Sequence, residues 1–296
     1  MRILVTGKNG QLGRSIQKLV NDSKNNQNHN DFIFVGREEL GLSSESTIDS
    51  YFNGNNEFDI IVNCAAYTAV DKAEKEPKLA NQINHIAVKL LAEIANQQKA
   101  KLIHISTDYV FDGKSDKPYI EADKTNPMNI YGKTKLDGEK ALQKALPTEA
   151  IIIRTSWMYS EYGNNFVKTM LRLGKQRDEL NIISDQIGSP TYASDLAEAI
   201  LTIINNKDYQ NKEQPTDIYH YSNEGEISWY DFAKEIFKLA QIDCKVNPIN
   251  TEQYSTPAKR PGNTLMKKNK IVSEFDLVIN NWKSALKDCI NIGYRL

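Results

Sequence analysis

The chain has 296 residues, 40% of them hydrophobic and 25% charged, proportions that are ordinary for a globular protein and exclude the disordered and membrane-spanning classes. Its 37 Lys and Arg nearly balance 38 Asp and Glu, so no global field draws nucleic acid or an anionic membrane, neither is expected as a partner, and any anion site has to be built locally. Three widely spaced cysteines, Cys64, Cys244 and Cys289, speak against a disulfide framework and for a reducing, cytoplasmic setting.

Ile3 to Thr6 is a short apolar run ending in a glycine turn, which predicts a first strand and is too short for the apolar core of a signal peptide. Gly7, Gly10 and Gly13 follow as GxxGxxG, ahead of a helix predicted from about Gln11. Glycines here permit a tight turn and let backbone N–H groups approach a pyrophosphate, whose charge the helix N-terminus favours. The strand–turn–helix context therefore predicts dinucleotide binding rather than a plain glycine-rich turn. The polar stretch Asn21 to Asp31 has no apolar period and reads as a solvated connection. A second strand, Phe32 to Val35, runs into Gly36-Arg37-Glu38. Arg37 suits a 2′-phosphate and Glu38 a ribose hydroxyl, so NADPH and NADH both stay open.

A third strand covers Ile60 to Asn63, and Pro77 then opens a helix whose apolar face is Ile83, Ala87, Leu90, Leu91 and Ile94. A fourth strand, Leu102 to Ile105, leads into Ser106-Thr107-Asp108-Tyr109, and a fifth covers Ile151 to Ile153. A hydroxyl such as that of Thr107, at a strand's carboxyl end, faces the crevice in which open α/β sheets bind ligands; the plainer reading is a cap for backbone groups. Tyr131 and Lys135 lie four apart at the start of a further helix, which puts phenol and ammonium on one face. A neighbouring positive charge favours the phenolate, so Lys135 is expected to lower Tyr131 from the usual tyrosine value of about 10. The histidines His29, His85, His104 and His220 show no metal-ligand spacing. Beyond residue 153 the pattern loosens, punctuated by Pro190, Pro215, Pro248, Pro257 and Pro261.

These alternations predict an α/β fold, a Rossmann-like doubly wound parallel sheet with a smaller C-terminal substrate-binding lobe. Residues 1–154 are assigned to the dinucleotide-binding domain, with 194–214 and part of the C-terminus returning to it; residues 155–193 and 215–264 are assigned to the lobe.

Taken together, GKNGQLG at Gly7 to Gly13, NCAAYTAVDKAE at Asn63 to Glu74, STDYVFDG at Ser106 to Gly113 and YGKTK at Tyr131 to Lys135 resemble the extended short-chain dehydrogenase/reductase family. RTSWMY at Arg154 to Tyr159, DQIGSPTYASDLA at Asp185 to Ala197 and PAKRP at Pro257 to Pro261 extend the resemblance to its branch acting on dTDP-linked keto sugars. It implies an oxidoreductase that uses NADPH or NADH to reduce the C4 keto group of dTDP-4-dehydro-L-rhamnose, a step in cell-surface polysaccharide biosynthesis. It also implies that Gly10, Gln11 and Leu12 touch the pyrophosphate, that Ala66, Tyr67 and Thr68 line the cofactor's path, and that Lys135 holds the nicotinamide ribose. Tyr131 would be the acid, Val70, Thr107, Asp108, Tyr109 and Trp157 would face the nucleotide sugar, and Arg260 would meet its diphosphate. Some members hold Mg2+ through a glutamate in the first helix, where this chain reads Arg14-Ser15, so no metal ligand is assigned. A loop Asp common in the family is replaced by Gly41-Leu42. Rival readings are an epimerase or dehydratase on the same scaffold, and a non-catalytic subunit like the regulatory subunit of methionine adenosyltransferase; a homodimer is left open.

Overall fold

Six strands make one parallel sheet in the computed structural model, which describes residues 1–22, 30–54 and 56–294. Most of the polar connection read at Asn21 to Asp31 lies outside the described residues. The strands are β1 (Arg2–Thr6), β2 (Asp31–Val35), β3 (Ile60–Asn63), β4 (Lys101–Thr107), β5 (Ala150–Thr155) and a sixth, Asp217–Tyr221. Their spatial order is β2-β1-β3-β4-β5-sixth, so the winding reverses between β1 and β3, where such sheets open a ligand crevice at their carboxyl ends.

Both faces are covered, which is why the strands read as near-continuous aliphatic runs. Successive side chains still alternate. Ile3, Val5, Ile60, Val62, Ile103 and Ile105 enter a core closed by Leu12 and Ile16 of helix Gln11–Asn21 and by Leu196 and Ile200 of helix Ala193–Asn205. Leu4, Ile61, Leu102 and Ile152 enter the opposite core, with Ala87, Val88 and Leu91 of helix Ala87–Gln98 and Leu142 of helix Ile130–Ala145. Pro77 does open a helix, Pro77–Asn81, but a π turn at Gln82–Ile86 separates it from Ala87–Gln98.

A third core gathers Tyr159, Val167, Met170, Phe232, Ile236, Trp282 and Leu286. It joins the helices Phe166–Gly174, Trp229–Leu239 and Trp282–Gly293, while Ile271 and Phe275 pack on the main sheet. The sixth strand falls within 215–264, the stretch that the sequence reading gave to the lobe, and places part of it in the main sheet. Asp217–Tyr221 pairs with β5 from Asp217↔Ile151 to Tyr221↔Thr155. At a sheet edge this strand carries Asp, Tyr and His in place of an aliphatic run, so the cue used for the inner strands was absent. Among the described residues, no helix is long and apolar enough to cross a membrane.

Candidate active site

β1 ends at Thr6, and the chain turns at Gly7 with φ +72°, where an added Cβ would meet Cys64 and Ala65 backbone at 3.0 Å. Gly10 N–H closes the turn on Gly7 O at 2.8 Å and begins the helix with no side chain capping it, which leaves first-turn N–H groups for an anion. Gly13 lies beneath, where a Cβ would come 2.3 Å from Gly7 O. The three glycines thus form a cradle that any side chain would fill, and the donor set fits a dinucleotide pyrophosphate. Overpacking of this kind costs about 1–3 kcal/mol, so Gly13→Ala should weaken NADPH binding roughly tenfold or more in a fluorescence titration; an unchanged Kd would contradict the cradle.

The turn opens onto a cleft of about 950 Å³ at the carboxyl ends of the strands. Gly7, Gly10, Gln11, Leu12, Arg37, Ala66, Thr68, Val70, Thr107, Asp108, Tyr109, Tyr131, Lys135 and Trp157 all line it, as does Glu38. Three expected residues have other partners. Tyr67 donates its hydroxyl to Glu76 at 2.6 Å, and its backbone is held on both sides by the buried Asn84; its ring is no part of the cleft wall. The Arg260 guanidinium is forked onto Asp71, at 2.8 and 3.1 Å, which holds the Asp71 carboxyl below its usual range. The side chain of Gln11 reaches away from the turn to Met158 O at 3.3 Å, and accepts from Ser160 at 3.0 Å and Asn165 at 2.9 Å. Next to the exposed Arg37 and Glu38, it is Glu39 that is engaged, accepting from Gly36 N–H at 2.8 Å and paired with Lys8.

Asn129 caps the helix Ile130–Ala145 by accepting from Gly132 N–H at 2.8 Å. A Cβ on Gly132 would sit 2.2 Å from Tyr109 O, so glycine lets the helix start against the residues that follow β4. Tyr131 and Lys135 share the cleft-facing side as predicted. The predicted lowering of Tyr131 is not found. Burial pushes its phenol up to about 12, opposed by the nearby Thr107 hydroxyl and reinforced by Asp108. Lys135 is 1% exposed and donates to Ile105 O at 2.6 Å; burial pulls it down to about 8, against the pull of Glu139. Asp108 accepts from Thr107 Oγ1 at 3.0 Å, and burial lifts its carboxyl to about 7.

Some of the site escaped the sequence reading. One turn beyond Lys135, Glu139 is buried with Arg154, which grips it through Nη2 at 2.7 Å and Nε at 3.0 Å, and Ser106 donates to the same carboxylate. The cue was an acidic residue continuing the Tyr131, Lys135 spacing. On the opposite wall Trp157 stacks on Trp229, ring centroids 3.5 Å apart and planes 11° from parallel, and both line the cleft. Trp157 holds φ +47°, a left-handed conformation uncommon for a bulky residue and frequent at ligand-binding positions. Among the described residues no group of three or more His, Cys, Asp or Glu is placed to hold a metal ion, and Arg14, at the position of the family's glutamate, lies over the Tyr162 ring at 5.6 Å.

The signature of the RmlD substrate binding domain family matches residues 1–294. A dTDP-4-dehydrorhamnose reductase of Sinorhizobium fredii is 41% identical over 291 residues, 97% of this chain and 96% of the relative. Among solved structures, a dTDP-4-dehydrorhamnose reductase of Clostridium acetobutylicum is 42% identical with TM-score 0.89, covering 99% of each chain. Another, of Bacillus anthracis in complex with NADP, is 38% identical with TM-score 0.89, covering 98% of this chain and 99% of that one. The glycine cradle, the Tyr131–Lys135 face and matches that run nearly end to end lead to one assignment: this chain belongs to the dTDP-4-dehydrorhamnose reductase family.

Proposed function

We propose that this protein reduces the C4 keto group of dTDP-4-dehydro-L-rhamnose to give dTDP-L-rhamnose, using NADPH or NADH. One observation carries the reading: Tyr131, Thr107 and Lys135 stand together in the same cleft as the glycine turn. The dinucleotide, when bound, supplies the hydride. The uncapped helix start and the glycine turn receive its pyrophosphate, and Arg37 at the rim favours a 2′-phosphate. The NADP bound to the Bacillus anthracis relative supports a dinucleotide in this cleft.

Tyr131 keeps its proton across the neutral range because burial holds it near 12, as an acid must if it is to protonate an alkoxide forming at C4. Thr107, beside the phenol in the cleft, orients the substrate's oxygen. Lys135 is cationic below about pH 8 and supports the phenolate left after transfer. Trp157 and Trp229 offer a flat apolar wall to the nucleotide sugar. Three free thiols support a cytoplasmic setting, and the balanced charge supports a nucleotide-sugar partner without nucleic acid.

The test is to mix purified protein, dTDP-4-dehydro-L-rhamnose and NADPH and to follow cofactor oxidation by absorbance. Net consumption with dTDP-L-rhamnose as product is expected. Absence of consumption would sink the reading, and stoichiometric tightly bound NAD without net turnover would favour the epimerase or dehydratase rival.

A further inference from the structure

Three polar side chains occupy sheet positions at which a two-sided core demands aliphatic ones. Thr6, Asn63 and His104 are register partners across β1, β3 and β4 and are 2%, 1% and 0% exposed. They share a face with Leu4, Ile61 and Leu102, which feed the core under helix Ala87–Gln98. Buried polar groups are destabilising unless each is paired, and these are paired in sequence. Ala65 N–H donates to Thr6 Oγ1 at 3.2 Å, and Thr6 Oγ1 lies 2.7 Å from the side-chain amide of Asn63. The other end of that amide lies 3.1 Å from His104 Nδ1, and His104 Nε2 lies 3.3 Å from Lys135 Nζ. The row begins at the backbone of a cleft-lining residue, Ala65, and ends at the active-site amine.

We propose that His104 is a positioning residue for the reduction: through the row it shares with Asn63 and Thr6, it locks the Lys135 amine in register with the cleft floor at Ala65. The proposal rests on the reductase reading of this cleft. A lysine carries its amine on a flexible four-carbon stem. The Ile105 carbonyl is one anchor, at 2.6 Å, and His104 supplies the second, removing freedom that the first alone leaves. His104 suits that task because burial, with the neighbouring Lys135 charge, keeps its imidazole neutral: with Nδ1–H donating to the oxygen of the Asn63 amide, the one acceptor nitrogen of the ring, Nε2, faces the Lys135 amine. It does not line the cleft, so it acts through Lys135 and not on substrate.

Steady-state kinetics of His104→Leu, His104→Gln and Thr6→Val, each with a thermal melt, test this. A displaced catalytic amine costs on the order of 10- to 100-fold, so His104→Leu should lose that much in kcat while KM for the keto sugar stays within about twofold. His104→Gln, whose amide can meet both neighbours, should recover most of the loss. Thr6→Val, at the far end of the row, should lower kcat less, again without moving KM. The proposal is overturned if His104→Leu keeps kcat within about twofold of wild type, or if the Leu and Gln variants fall equally and in step with lost thermal stability. Should His104→Leu fail to fold, Thr6→Val decides: lowered kcat at an intact melting temperature supports the row, and wild-type kcat overturns it. Failure of the underlying reading is told apart because the wild-type protein would then consume no NADPH.

Discussion

Tyr131→Phe should lower kcat by about 10²–10⁴-fold, the range general acid catalysis supplies, while the Kd for NADPH stays within about threefold of wild type. The reasoning is local. The ring would remain packed edge-on against Tyr109, centroids 5.7 Å apart, and Lys135 would keep its bond to Ile105 O. Only the phenolic hydroxyl, with the proton it would donate, would go. A stopped-flow measurement of single-turnover reduction, paired with a cofactor titration, separates the two quantities. A variant that still turned over within about fivefold of wild type would assign the proton to another group; the buried Asp108, at about 7, is the first to be examined.

The largest stability effect is expected at Arg154. Its pair with Glu139 is 3% and 1% exposed at the side chains, and the guanidinium also lies 5.1 Å from the Phe111 ring centre. Removing one partner of such a pair strands a buried charge and costs about 3–5 kcal/mol. Arg154→Met should therefore lose that much in urea unfolding, and Arg154→Met with Glu139→Gln should recover more than half of it. A single variant within about 1 kcal/mol of wild type would mean that the carboxylate takes up a proton and tolerates the loss.

What could be read from the residues in advance divides along a physical line. Interactions local in sequence were legible: the glycine turn after β1, the strand Ile60–Asn63, the Leu102 to Ile105 centre of Lys101–Thr107, and the Tyr131–Lys135 face all follow from spacings of two to four residues. The polar row was not legible, because Thr6, Asn63 and His104 meet only through strand order and register, 57 and 41 positions apart. His104 stood in the sequence as one polar residue within Leu-Ile-His-Ile, a cue to an internal partner but not to its identity. Arg260 is the converse case. Its suitability for a diphosphate was read from residue type alone, and the fold brings it Asp71 from 189 positions away. Tyr131's proton affinity was misjudged for a related reason: spacing gave the neighbouring lysine, but burial, which only the folded chain defines, is the larger influence.

The side chain of Gln11 has a mechanical consequence. It opens the helix that receives the dinucleotide, yet it is fastened to Met158, Ser160 and Asn165. Three hydrogen bonds therefore join the start of that helix to the segment that follows β5. Displacing either segment would break these bonds or carry the other along, which ties the first helical turn mechanically to residues 158–165.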